Sequence, residues 1–193
     1  QHEQALVYFE NVLASEPENV SALFNMSLAL LALGRLSTAE ASLERASQIA
    51  PNFAKAHEIR ASLLMSQQKH EAALPSLARA IELEKDSVKR AGLLVSMGNA
   101  LKDLRRLEQS AKCFEQALEC NPSYEFLLGM VAYAKQTICD WQGLPELIER
   151  TRRGVEAQEK VVLPFVALCL ADEPALQLKA AQIYWGASYS QVD

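Results

Sequence analysis

Residues Val20 to Asn52 read VSALFNMSLALLALGRLSTAEASLERASQIAPN. Two apolar series lie in this stretch. Leu23, Met26 and Leu30 form the first, and Ala39, Leu43 and Ala46 the second. Spacings of three and four put each series on one face of a helix. Gly34 falls in the break between them, and Pro51 follows the second. The second series recurs along the chain. Ala5, Ala39, Ala73 and Ser110 align in steps of 34, 34 and 37 residues. Four positions on come Phe9, Leu43, Leu77 and Phe114, then Val12, Ala46, Ala80 and Ala117, then Pro17, Pro51, Lys85 and Pro122. A fixed period of this length marks a repeat architecture.

Each repeat reads as a helical hairpin. The small residues let a neighbouring helix approach, the large one fills the gap, and the proline closes the second helix by ending its hydrogen-bond ladder. A hairpin leaves one face uncovered, so hairpins stack. The 37-residue step predicts a longer first helix in the fourth unit, capped by Asp86 or Ser87. Arg60 stands where a leucine is expected, and Pro75 is expected in about the first turn of a second helix, where proline is tolerated.

The pattern resembles the tetratricopeptide repeat (TPR), with Met97-Gly98 in the place of its Leu-Gly pair. The resemblance implies an all-α fold: a right-handed α-solenoid of helix-turn-helix repeats with a divergent helical C-terminal cap. Repeats span 1–122, as a partial unit over 1–19 and whole units over 20–53, 54–90 and 91–122. The third reads AKAHEIRASLLMSQQKHEAALPSLARAIELEKD from Ala54, and the fourth AGLLVSMGNALKDLRRLEQSAKCFEQALECNPS from Ala91. The chain is thus expected to begin mid-repeat.

Past Pro122 the pattern degenerates. A fifth, divergent hairpin is expected over 123–160: a helix from Phe126 to Cys139, a turn at Asp140 to Gly143, and a helix opened by Leu144-Pro145 that ends between Gly154 and Lys160. Trp141 is expected to plug the core of that hairpin. Residues 161–193 read as a cap or linker toward a further domain. An extended Val161 to Pro164 leads to a short helix from Phe165 to Leu170. Asp172 is expected to cap a last helix from Pro174 to Trp185, with 186–193 frayed.

Composition bounds the function. Half of the 193 residues are hydrophobic, which excludes a disordered chain. Nineteen basic against twenty-four acidic residues give a net charge of −5, and the basic runs at Arg105-Arg106 and Arg150 to Arg153 are short. Nucleic acid is therefore not expected as a partner. No apolar run reaches the roughly 18–20 residues of a membrane span. Cys113, Cys120, Cys139 and Cys169 lie singly and read as buried small hydrophobes of a reducing, cytoplasmic compartment.

The tail carries a second resemblance. It contains LLGMVAYAKQTICDW from Leu127 and GLPELIERTRRGVEAQEKVVLPFVALCLADEPALQLKAAQIY from Gly143. Cys139-Asp140-Trp141, Gly154-Val155, Pro164 to Leu168 and Asp172 to Gln177 resemble the region joining repeats to catalytic domain in the bacterial O-linked N-acetylglucosamine transferase/SPINDLY family. The resemblance implies a substrate-recruiting TPR region of a protein O-glycosyltransferase, with 123–187 braced against a catalytic domain beyond Asp193. The alternative is a stand-alone scaffold for assembly, secretion or regulation. The chain has no glycine-rich phosphate loop. No enzymatic activity, catalytic residue, cofactor or metal site is expected in it.

Isolated chemical groups support that expectation. His57 and His70 read as packing or surface residues. Cys113 and Cys120 share a helix face without a third ligand, and Glu82 and Glu84 read as solvated. Tyr184 and Trp185 suggest an apolar patch on the last helix.

The resemblance to TPRs places a protein or peptide partner in a concave groove lined by the first helices. Counting from each unit start, this groove takes Phe24, Asn25, Leu28, Leu31 and Ala32, then Glu58, Ile59, Ser62, Met65 and Ser66, then Val95, Ser96, Asn99, Lys102 and Asp103. An asparagine ladder for an extended peptide would need amides at equivalent positions, and only Asn25 keeps one, against Ile59 and Ser96.

Overall fold

The computed structural model describes residues 1–189, and these form eleven helices and no strand. They divide into two compact units, the first ending at Lys85 and the second beginning at Asp86. The boundary falls at the 37-residue step, inside the stretch expected as one run of repeats.

Unit 1 holds α1 (His2–Ser15), α2 (Val20–Ala32), α3 (Leu36–Ile49), α4 (Ala54–Ser66) and α5 (His70–Leu83). Unit 2 holds α6 (Ser87–Asp103), α7 (Leu107–Cys120), α8 (Leu127–Thr137), α9 (Leu144–Glu156), α10 (Pro164–Leu170) and α11 (Pro174–Tyr189). The hairpins are α2–α3, α4–α5, α6–α7 and α8–α9, and α1 packs on α2. At 17 residues, α6 is longer than the 13 of α2 and α4, as the step predicts. Asp86 caps it, accepting from the N–H groups of Val88 at 2.8 Å and Lys89 at 3.1 Å.

The repeated signature forms the core. Ala39, Leu43, Ala46, Ala73, Leu77, Ala80, Ser110, Phe114 and Ala117 are at most 2% exposed. In α1 the equivalents Ala5, Phe9 and Val12 are only half-buried. Gly98 of α6 answers Phe114 of α7: a Cβ on Gly98 would lie 2.5 Å from a ring carbon. Its carbonyl accepts from the buried Ser110 hydroxyl at 2.7 Å. Arg60 replaces apolar contact with a polar bridge, donating from α4 to Glu44 of α3 at 3.2 Å and Ser76 of α5 at 3.4 Å.

In the first three hairpins the first and second helices end differently, while both helices of α8–α9 end like a first helix. After α2 the Gly34 N–H donates to the Leu31 carbonyl and the Arg35 N–H to Leu30. This pair of bonds is the Schellman turn, which requires a left-handed residue after the cap. The same pair closes α4, α6, α8 and α9, with Gln68, Arg105, Cys139 and Gln158 left-handed at φ between 57° and 62°. The second helices α3 and α7 instead stop at Ala50 and Asn121, whose backbone turns away from helical ψ ahead of Pro51 and Pro122. Glu84 ends α5 in the same way, although Lys85 replaces the proline.

The structure departs from expectation at several points, most of them in the tail. Trp141 is 63% exposed, because the α8–α9 turn carries it outward and the small hairpin core closes on Leu127, Val131, Leu144 and Val155 without it. Of the four cysteines only Cys113 is buried; Cys139 occupies the left-handed, exposed turn position after α8. Pro75 is the sixth residue of α5, further in than expected, and the helix continues to Leu83. Pro174 opens α11, so Glu173 rather than Asp172 precedes the helix, and the Glu173 carbonyl accepts from Gln177. α11 runs past Trp185 to Tyr189; the rest of the segment expected to fray, 190–193, lies outside the described residues.

Residues 160–163 pass across α8 as an extended strap. The Lys160 carbonyl accepts from the Phe126 N–H and the Val161 carbonyl from the Gly129 N–H at 2.8 Å. Two N–H groups at the start of α8, which has no side-chain cap, are thereby satisfied. Glycine permits the approach: a Cβ on Gly129 would lie 2.5 Å from a Val162 methyl, and one on Gly154 2.8 Å from both Val161 methyls.

Candidate functional site

The residues expected to line a groove are described unit by unit. On α2, Asn25 and Leu28 are exposed, Leu28 to 39%, and the Asn25 side chain makes no hydrogen bond among the described residues. Phe24 is half-buried with its ring edge-on to Phe53, centroids 5.0 Å apart. On α4, Ser62 is exposed, Glu58 is ion-paired with Lys55 at 2.9 Å, and the Met65 sulfur lies 3.5 Å from His70 Nδ1. His70 is accordingly half-buried. His57 is also half-buried, with Nε2 3.0 Å from the Pro51 carbonyl.

On α6, Lys102 and Asp103 are exposed and Asn99 is half-buried, its amide oxygen 3.4 Å from Lys102 Nζ. Val95 does not belong with them. It is 9% exposed and counts among the buried residues of α6.

Lys102 and Asp103 lead to a feature that the repeat pattern does not reveal. They stand at the rim of a cavity of about 600 Å³ within unit 2. Phe114 of α7, Met130 and Tyr133 of α8, and Leu163, Phe165 and Val166 at the start of α10 supply its apolar lining. Arg105 joins the rim from the α6–α7 turn. Phe165 is 68% exposed. Sequence spacing could not place it there, since the wall it forms comes from the tail.

One charged group is buried beside this region. Lys135 of α8 is ion-paired with Glu115 of α7 at 3.0 Å and with Asp140 of the following turn. The hydrogen bond to Asp140 is the main cause that raises the lysine pKa, against the opposing effect of burial, and the same bond, helped by the Gln142 N–H, lowers that of Asp140. The arrangement ties two helices to a turn. Among the described residues no group of three His, Cys, Asp or Glu side chains is placed to hold a metal, and no helix is long and apolar enough to cross a membrane.

Two models of the tetratricopeptide repeat match the chain, one over residues 1–63 and one over 54–87 and again 91–124. No curated protein sequence matches it. Among solved structures it is similar to a MamA protein (TM-score 0.67, 18% identity, 81% of this chain and 84% of that one) and to MamA 41-end from Desulfovibrio magneticus RS-1 (TM-score 0.62, 19% identity, 77% and 82%). It is also similar to YrrB, described as a TPR protein with an unusual peptide-binding site (TM-score 0.65, 15% identity, 94% and 84%). At these identities the likeness concerns the fold. With the repeat matches and the four hairpins together, the chain belongs to the tetratricopeptide repeat family.

Proposed function

We propose that this chain is a protein-binding module whose partner contacts lie along the exposed faces of the first helices within each unit. The observation that carries the reading is on α2. The Asn25 amide, with two donors and an acceptor uncommitted, stands one turn from the exposed Leu28. An amide beside an apolar side chain suits an extended peptide, which offers both backbone polar groups and side chains. The solved relative YrrB, described as having a peptide-binding site, supports the same reading. Once a partner is purified, calorimetry on Asn25→Ala combined with Asn99→Ala tests it. The expected loss is roughly 1–3 kcal/mol of binding free energy, and an unchanged affinity moves the site off these helices.

The finer reading is that the module recruits substrates for a protein O-glycosyltransferase of the O-linked N-acetylglucosamine transferase/SPINDLY type, in the cytoplasm. Its support is the tail sequence and the work those residues do. Asp140 holds Lys135, Gly154 admits Val161, and Pro164 and Pro174 open the cap helices. The exposed Trp141, Leu168 and Leu178 supply apolar surface that a following domain would cover. Sequencing the gene past the Asp193 codon decides between this reading and a stand-alone scaffold. A reading frame of alternating strands and helices is the expected result, and an immediate stop overturns it.

A further inference from the structure

We propose that the cavity between α7, α8 and α10 is a socket for one bulky apolar side chain of a partner peptide, with an acidic residue beside it in the peptide sequence. The proposal rests on the protein-binding reading and deepens it by naming what the partner must carry.

Three observations lead to it. The first is shape. Plain hairpins leave an open face between successive helices, but here α10 adds a second wall, so Leu163, Phe165 and Val166 face the same space as Phe114, Met130 and Tyr133. About 600 Å³ is room for a large side chain together with its flanking backbone, within the usual range for ligand pockets. The second is exposure. Phe165 leaves 68% of its surface in water at the mouth of an apolar space. Covering it with another apolar group is favourable in proportion to the area removed from water, and aromatic and methionine side chains are those enriched at the centres of interfaces.

The third is charge. The rim carries Lys102, Arg105 and Asp103. Asp103 has a partner of its own. The Arg105 guanidinium makes no hydrogen bond or ion pair among the described residues, and Lys102 reaches only the Asn99 amide oxygen, at 3.4 Å. The nearby α6 carbonyls of Leu101 and Lys102 are taken by the N–H groups of Arg106 and Arg105. Two uncommitted cations beside an apolar space complement a peptide carboxylate, and Arg can grip it through two parallel bonds. Lys102 and Arg105 outnumber Asp103 at the rim, on a chain whose net charge is −5.

The larger cavity along α11, about 850 Å³, lacks this combination. Its lysines are committed elsewhere, Lys179 to the Glu156 carbonyl at 2.8 Å and Lys160 to Glu125 at 2.7 Å.

The experiment is an NMR titration of the full 193-residue chain with three capped synthetic hexapeptides: Ser-Gly-Phe-Glu-Gly-Ser, the same with Gly for Phe, and the same with Lys for Glu. The first should shift the amides of Met130, Thr137 and Phe165. Removing the aromatic ring should weaken binding about tenfold or more, and reversing the charge about three- to tenfold, with the charge effect shrinking at high salt. Thr137 of α8 also lines the cavity and is exposed; Thr137→Trp, which fills the mouth without entering the core, should abolish these shifts, and Arg105→Glu should reverse the preference between the Glu and Lys peptides. Melting curves that match the parent establish that both variants fold.

Shifts that appear only on α2 and α4 would overturn the socket while leaving the protein-binding reading in place. Equal binding of the Phe and Gly peptides, or no shift at saturating Phe-Glu peptide, would overturn the socket as well. Loss of partner binding in the Asn25→Ala, Asn99→Ala variant bears on the general reading alone.

Discussion

Two glycines on α6 have opposite roles. Gly92 has open space where a Cβ would stand, whereas Gly98 faces the Phe114 ring. Gly92→Ala should therefore stabilise the protein by about 0.5–1 kcal/mol through helix propensity. Gly98→Ala should cost roughly 1–3 kcal/mol, because the ring must move within a packed core. Urea denaturation of the two variants checks both signs. The Lys135 group gives a second test. Asp140 has a lowered pKa in the folded protein, so its contribution is complete above the ordinary carboxylate value near 4 and is lost as pH falls through the depressed one. Lys135 is shifted up, so its contribution is complete below its ordinary value near 10.4 and is lost as pH rises through the raised one. Asp140→Asn should flatten the fall in melting temperature below pH 4 and leave the range from 5 to 8 parallel to the parent. At this scale the sequence was informative where a residue repeated. Ala39, Leu43 and Ala46 are fully buried because the pattern recurs four times and only one helix face can satisfy it. Trp141 occurs once, without periodic neighbours, and nothing in its sequence distinguishes a core aromatic from one that a turn carries outward.

Five helices close with the same turn, but only α2 places glycine at the left-handed position. A side chain there crowds the following carbonyl and costs about 1 kcal/mol. Gln68→Gly should raise stability by about 0.5–1 kcal/mol, and Gly34→Ala should lower it by about the same amount; thermal melts of the pair settle the comparison. The ends of the second helices were readable from Pro17, Pro51 and Pro122. The ends of the first helices were not, beyond Gly34, since Gln68, Arg105 and Cys139 carry no signature of the left-handed conformation they adopt. The long α6 and its Asp86 cap were legible from the 37-residue step and the side-chain chemistry. The α10 wall of the cavity was not, because α10 belongs to no repeat.

At the scale of the molecule, each unit has its own apolar core, and stability is built from hairpins in contact with their neighbours. Leu43→Ala should leave a cavity in unit 1 costing roughly 2–5 kcal/mol, read in hydrogen exchange as lost protection across α2, α3 and α4. A loss below about 1 kcal/mol would contradict the buried register.

The strap over α8 bears on the order in which this protein can be completed. At the start of α8 the Phe126 and Gly129 N–H groups donate to the carbonyls of Lys160 and Val161, which follow them by more than thirty residues. During synthesis the last hairpin is made before the groups that finish it, so the start of α8 stays unclosed until Val161 has been added. A shortened chain that stops at the end of α9 would keep the two helices and lose the closure.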